Sequence, residues 1–255
     1  MALMPTSLPE LNSLSSLSLN EKRELLQRVR EQRLSIERGR RFYSLYPETG
    51  PLSRFAYPKH MAFFAAGAQH HERAAMGGNR TGKTNAVAFE AVAHLTGEYP
   101  AWWIGRRFSA PVVSWIAGES VRALRDSLQV SLLGEASDIG TGMVPRDLLV
   151  GRPTARTGTA DAYDTFLVRH KSGGTSRATF KSYDQGREAF QAAKVDVVVL
   201  DEEPPQPIYS EALMRTMATQ PGEPNGIVMC AFTPLKGLSA VVLSYMPHMH
   251  ILAAA

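Results

Sequence analysis

Gly77, Gly82, Lys83 and Thr84, within the stretch GGNRTGKT at 77–84, stand at the spacing G-x4-G-K-T. Those residue types at that spacing suit one task, the cradling of phosphates. Glycines let backbone N–H groups turn toward an anion with no Cβ in the way, and a helix opening at Lys83 aims the positive end of its dipole at the same point. Lys83 is placed to reach β- and γ-phosphates, and the Thr84 hydroxyl to ligate Mg²⁺. Gly78, Asn79, Arg80 and Thr81 complete the loop, so ATP with Mg²⁺ is expected to lie against residues 77–84. A glycine-rich turn that merely caps a helix is the competing reading, and only a second half-site elsewhere in the chain separates the two.

The run VDVVVLDEEPP supplies that half. A buried apolar strand ending in Asp201 puts its carboxylate at the carboxyl edge of a sheet, where ligands of such folds bind. Asp201 is the expected holder of Mg²⁺, through the ion's water shell, and Glu202 the residue that orients or deprotonates the attacking water. Alternation along an extended segment would put Asp201 and Glu203 on one side instead, so Glu203 competes for that role. Lys83 and Asp201 are 118 positions apart (201 − 83), with at least one strand and a hairpin between them. An inserted strand, with a glutamate after the metal-binding aspartate, describes the ASCE (RecA/helicase-like) branch of phosphate-loop NTPases rather than its kinases or GTPases.

The elements that must carry these residues read as an α/β fold. VVSWIAG (112–118), VDVVVL (195–200) and GIVMCAF (226–232) are short continuous apolar runs, as expected of parallel strands covered on both faces. NAVAFEAVAHL continues the helix opened at Lys83, and ESVRALRDSLQVSLLG reads as another, with Val121, Leu124, Leu128 and Leu132 on one face. TFLVRHKSGGTSRATFKSY reads as a hairpin about Gly173-Gly174. A mostly parallel central sheet flanked by helices follows. Upstream, residues 1–17 read as a flexible leader, and a capping box from Ser18 to Glu21 opens a basic helix with Leu25, Val29 and Ile36 on its apolar side. That helix is either a solvated, ion-paired rod or an arm for an anionic partner. Leader and helix (1–45), an ATPase domain (46–246) and a tail (247–255) are the expected divisions.

Composition sets wider bounds. The 255 residues carry 28 Lys plus Arg against 24 Asp plus Glu, a formal +4 that permits a polyanionic partner without requiring one. The one cysteine, Cys230, excludes an internal disulfide framework or a cysteine zinc site and reads as a small buried hydrophobe in a reducing compartment. No apolar run approaches the ~20 residues needed to span a bilayer, and no membrane partner is expected.

Over about residues 54–246 the chain resembles the ATPase region of the large terminase subunit, the DNA-packaging motor of tailed bacteriophages. The likeness runs through RFAYPKHMAFFAAGAQHHERAAMGGNRTGKT, HLTGEYPAWWIGRRF, VSWIAGESVRALRD, LLGEASDIGTGMVPRD, SYDQGREAFQAAKVDVVVLDEEPP and AFTPLKGLS. It implies that Tyr57–Phe64 lies on the adenine side, with His60 where the family often has Gln, and that Thr233–Gly237 senses the γ-phosphate, with Thr233 as its polar probe. It also implies a transition-state arginine, for which Arg80, Arg122, Arg125 and Arg187 are candidates. The partners implied are double-stranded DNA, the portal protein of the procapsid, a small terminase subunit and further copies of the chain in a ring, acting in the host cytoplasm. The C-terminal nuclease of a complete large terminase is not expected, because the chain stops 18 residues after Gly237 (255 − 237). His248 and His250 in the tail lack a third ligand and read as incidental. A helicase-like or remodelling ATPase of the same branch, and an inactive nucleotide-binding assembly module, are the alternatives.

Overall fold

Three of the apolar runs form the middle of one sheet: β2 (Val113–Gly118), β6 (Val197–Asp201) and β7 (Ile227–Phe232). In this computed structural model, residues 18–191, 194–235 and 237–246 are described. The predicted leader and the tail with His248 and His250 lie outside them.

The chain divides into two units, residues 1–38 and 39–255. The first holds α1 (Leu19–Arg38), whose first turn closes with Lys22 N–H donating to the Ser18 carbonyl at 3.0 Å. On its expected apolar side Leu25 is half-buried and Val29 exposed, while the side chain of Ile36 lies outside the described residues.

The second unit is built on a seven-stranded sheet in the order β1-β7-β6-β2-β5-β4-β3. β1 (Glu72–Met76), β7, β6, β2 and β5 (Thr175–Ser182) run parallel, while β4 (Tyr163–Arg169) and β3 (Thr154–Ala155) are antiparallel additions at one edge. The predicted hairpin is β4–β5, closed at Arg169 opposite Thr175. Two further short helices, α2 (Arg41–Ser44) and α3 (Pro58–Ala66), precede β1.

Both faces of the central strands are covered, which explains why their sequences run apolar without alternation. On one face Val197, Val199, Met229 and Ala231 pack with the alanine- and valine-rich α4 (Lys83–Thr96), of which residues 86–96 are buried. On the other, Val198, Leu200, Val228 and Cys230 pack with later helices. Each valine, leucine or methionine among them, buried completely, contributes about 2 kcal/mol of hydrophobic stabilisation. Burial pushes the Cys230 thiol up to about 12, so it stays protonated and inert. The helix expected after β2 is interrupted: α5 (Val121–Leu124) and α6 (Val130–Leu133) flank a π turn at Arg125–Gln129. α7 (Gln206–Thr216) and α8 (Ala240–Ser244) line the second face. Among the described residues no helix is long and apolar enough to cross a membrane.

Between α3, β1 and α4 lies a buried ion cluster. Arg73 of β1 donates to both carboxylate oxygens of Glu90, at 2.6 and 3.1 Å, and to the Phe63 carbonyl at 2.6 Å. His94 meets Glu90 at 3.2 Å through Nε2 and the Tyr99 hydroxyl at 3.0 Å through Nδ1. The Glu90 carboxylate only accepts, so Nε2 carries the proton of the neutral ring and Nδ1 accepts from the Tyr99 hydroxyl, whose oxygen in turn accepts from the Phe108 N–H at 2.7 Å. Burial would raise the Glu90 carboxyl, but Arg73 and His94 outweigh it and hold it below the usual range. Burial likewise holds His94 below its ordinary value, against the pull of Glu90.

Candidate nucleotide-binding site

Because β1, β7, β6, β2 and β5 are parallel, their carboxyl ends share one edge of the sheet. Met76 pairs with Phe232, Asp201 with Ala231, and Gly118 with Ser182, so the phosphate loop, Thr233 and the acidic tip follow one another along that edge. β7 sits between the strand that feeds the loop and the strand that ends in Asp201.

The loop turns into α4 at Gly82, whose φ of 82° is the left-handed backbone that glycine adopts most readily. A Cβ there would also stand 3.0 Å from His60 Cε1. No side chain caps α4, so its first N–H groups are free for an anion. Lys83 Nζ donates to the Gly77 and Gly78 carbonyls at 3.0 and 2.7 Å and to Thr233 Oγ1 at 3.1 Å. The Thr233 hydroxyl shares its proton between the Gly77 carbonyl and Asn79 Oδ1, both at 2.9 Å. Thr81 Oγ1 donates to the Gly78 carbonyl at 3.0 Å.

The two halves of the site meet directly: Thr84 Oγ1 donates to Asp201 Oδ1 at 2.9 Å. Asp201 is 6% exposed. Burial raises its carboxyl to about 6, with neighbouring Glu202 adding to the rise and the Thr84 bond and Lys83 opposing it.

A family model described as "Terminase large subunit, T4likevirus-type, N-terminal" matches residues 74–247, more than half of the chain and the whole of this site apart from α3. The chain belongs to the large terminase subunit family. The large terminase subunit of Salmonella phage P22 is 34% identical over 253 residues, covering 91% of this chain and 48% of that protein. The chain thus spans about half the length of the curated relative it matches. Among solved structures, the HK97 bacteriophage large terminase superposes with a TM-score of 0.51 at 14% identity, over 86% of this chain and 41% of that one, a likeness of fold. The Thermus phage P74-26 large terminase ATPase domain matches with a TM-score of 0.43 at 18% identity, over 71% and 65% of the two chains. The expected α/β fold, a mostly parallel central sheet flanked by helices, is the one found.

Within the terminase chain the remaining site residues fall as follows. Glu202 is exposed at the strand tip and takes a left-handed φ of 62°, a conformation that costs a residue with a side chain about 1 kcal/mol. The strand alternation that grouped Asp201 with Glu203 therefore ends at Asp201. Glu203 is half-buried, and its Oε2 has no hydrogen-bond partner among the described residues.

His60, on α3, spends both ring nitrogens within the chain: Nε2 faces the Thr81 carbonyl at 3.1 Å and Nδ1 the Tyr46 hydroxyl at 2.9 Å. A carbonyl only accepts, so Nε2 carries the proton and Tyr46 donates to Nδ1. Burial lowers the pKa of His60, in keeping with that neutral ring. His60 lines a hollow of about 530 Å³ with Tyr46, Tyr57 and Arg80, and another of about 480 Å³ with Gly77, Gly78 and Lys83. Sequence reasoning missed Tyr46, which lies outside the YPKHMAFF segment; no spacing rule reaches it.

The arginines differ in their ties. Arg125 pairs with Asp126 at 2.7 Å and Arg187 with Glu211 at 2.8 Å. Arg80 and Arg122 are exposed, without an ion pair among the described residues, and Arg80 holds a left-handed φ of 61° inside the loop.

Proposed function

We propose that this chain is an ATPase whose hydrolysis drives double-stranded DNA into a viral procapsid. The observation that carries the reading is the Thr84–Asp201 contact at 2.9 Å, which joins the phosphate loop and the acidic strand tip in a member of the large terminase family. Lys83 exchanges the Gly77 and Gly78 carbonyls for β- and γ-phosphate oxygens, and the loop amides of residues 78–83 take the remaining charge. Glu202 orients and deprotonates the attacking water, and Thr233, already bonded to Lys83, reports loss of the γ-phosphate.

The donor set fits Mg²⁺. A hydroxyl and a carboxylate are hard oxygen ligands, and among the described residues no group of three or more His, Cys, Asp or Glu could hold an ion alone, as expected of a metal that keeps waters and substrate phosphates. Thr84 and Asp201 would hold it, and when bound it neutralises charge on the phosphates. The partners consistent with this reading are duplex DNA, the portal of the procapsid, a small terminase subunit and further copies of the chain in a ring. The supplier of a transition-state arginine is then Arg80 or Arg122, the two of these candidates without an ion pair among the described residues.

Purified protein with Mg²⁺ and duplex DNA tests the reading. It should hydrolyse ATP, Lys83→Ala should lose both binding and turnover, and Glu202→Gln should bind ATP yet turn over at least 100-fold more slowly. Wild-type turnover no higher than that of Lys83→Ala overturns the assignment. Full turnover in Glu202→Gln with loss in Glu203→Gln moves the base to Glu203.

A further inference from the structure

The segment SYDQG, at 182–186, lies outside both halves of the site, yet it reaches the acidic tip. Tyr183 is buried one residue beyond the end of β5, and its hydroxyl donates to the Asp201 carbonyl at 3.0 Å and to the Glu202 carbonyl at 3.2 Å. β2 lies between β5 and β6 in the sheet, so the ring must cross the tip of β2. That tip is Gly118, where even a Cβ would come within 3.6 Å of the Asp201 oxygen and 2.9 Å of Leu124. The turn carrying the ring is itself fixed, because Gln185 Oε1 accepts from the Ser182 N–H at 2.9 Å.

Successive carbonyls of an extended chain point to opposite sides, so one hydroxyl reaches two in a row only where the backbone leaves the strand conformation. The left-handed φ of Glu202 is that departure. Its N–H donates to the Ala231 carbonyl on β7 at 2.9 Å, so the residue is pinned on one side by β7 and on the other by Tyr183. We propose that Tyr183 is a positioning residue: it selects the left-handed turn from which the exposed Glu202 carboxylate acts on water. The proposal rests on the reading of Glu202 as the base.

Steady-state ATP hydrolysis by the full chain, with separate titrations of a non-hydrolysable ATP analogue and Mg²⁺, tests it. Tyr183→Phe keeps the ring and removes one buried donor; kcat should fall about tenfold, with KM and analogue affinity within about twofold of wild type. In a Glu202→Gln background the same change should slow turnover no further. A folded Tyr183→Phe protein with wild-type kcat overturns the proposal while leaving the assignment of Glu202 intact. So does one that loses affinity instead. Absent wild-type turnover, or an active Glu202→Gln, overturns both together. If Tyr183→Phe lacks a wild-type-like thermal transition, Gln185→Met, which loosens the turn and keeps the tyrosine, must show the same split of kcat from KM. Wild-type kcat in that variant also refutes the proposal.

Discussion

Helix α4 carries two polar clusters, one at its first turn and one in its buried middle, and they differ in what remains unspent. Around Glu90 the carboxylate is answered within the chain: Arg73 forks onto both oxygens, its buried Nε alone left without a hydrogen-bond partner among the described residues, and His94 and Tyr99 extend a chain of donors and acceptors. At the first turn Lys83 rests on neutral carbonyls and a hydroxyl, Glu202 stands in solvent in a strained backbone, and Asp201 is buried near another acid. A closed cluster fixes elements against one another. An open one, also built of charged and polar side chains, is prepared for something not yet present.

The sharpest way to break this contrast is to unbalance the closed cluster. Arg73→Met leaves Glu90 buried without its main cation and should cost about 3–5 kcal/mol, read as a large fall in the denaturant midpoint. Glu202→Gln, at the open cluster, should leave that midpoint unchanged. If the two variants unfold alike, the division between them fails.

Their pH dependences should run in opposite directions. His94 and Glu90 have folded values below their usual ones, so the stability linked to His94 is present above its unfolded value of about 6.5 and lost as pH falls below that, while the stability linked to Glu90 is present above about 4.5 and lost only at still lower pH. Asp201 has a folded value near 6, raised from 3.8; its contribution is present below about 4 and lost as pH rises through 6. Urea titrations of the protein without nucleotide from pH 4 to 8 should show both limbs, and Asp201→Asn should remove the second alone. By the same sign, Mg²⁺-dependent nucleotide binding should weaken below about pH 6, where Asp201 takes up a proton. The smallest effect is expected from Thr233→Val, which removes the hydroxyl bridging Lys83, Gly77 and Asn79. It should cost about 1 kcal/mol and leave the thermal transition within a few degrees of wild type.

What could be read from the sequence follows the same division. β2, β6 and β7 declared themselves because strands covered on both faces need unbroken apolar runs, and the loop and DEE motifs because phosphate chemistry tolerates few residue types. β1 (ERAAM) escaped notice: its Arg73 looks like a surface residue until Glu90, on another element, is known to answer it. α7 was hidden by the prolines around its start, and the π turn at Arg125–Gln129 has no sequence mark distinct from the helix it interrupts. In the site, the meeting of Thr84 with Asp201 was legible from the motifs. The left-handed turn at Glu202 was not, since it depends on Tyr183 and Ala231, both remote in sequence or strand.

β7 between β1 and β6 also sets a dimension. With one strand interposed, the backbones that carry the loop and the acidic tip stand about 10 Å apart, twice the spacing of neighbouring strands. That jaw width is gauged by backbone hydrogen bonds rather than by side chains, so replacing a side chain does not reset it. The loop, Thr233 and the acidic tip are then ruled onto one line by the sheet itself, and only the segments beyond the strand ends are left to vary their reach.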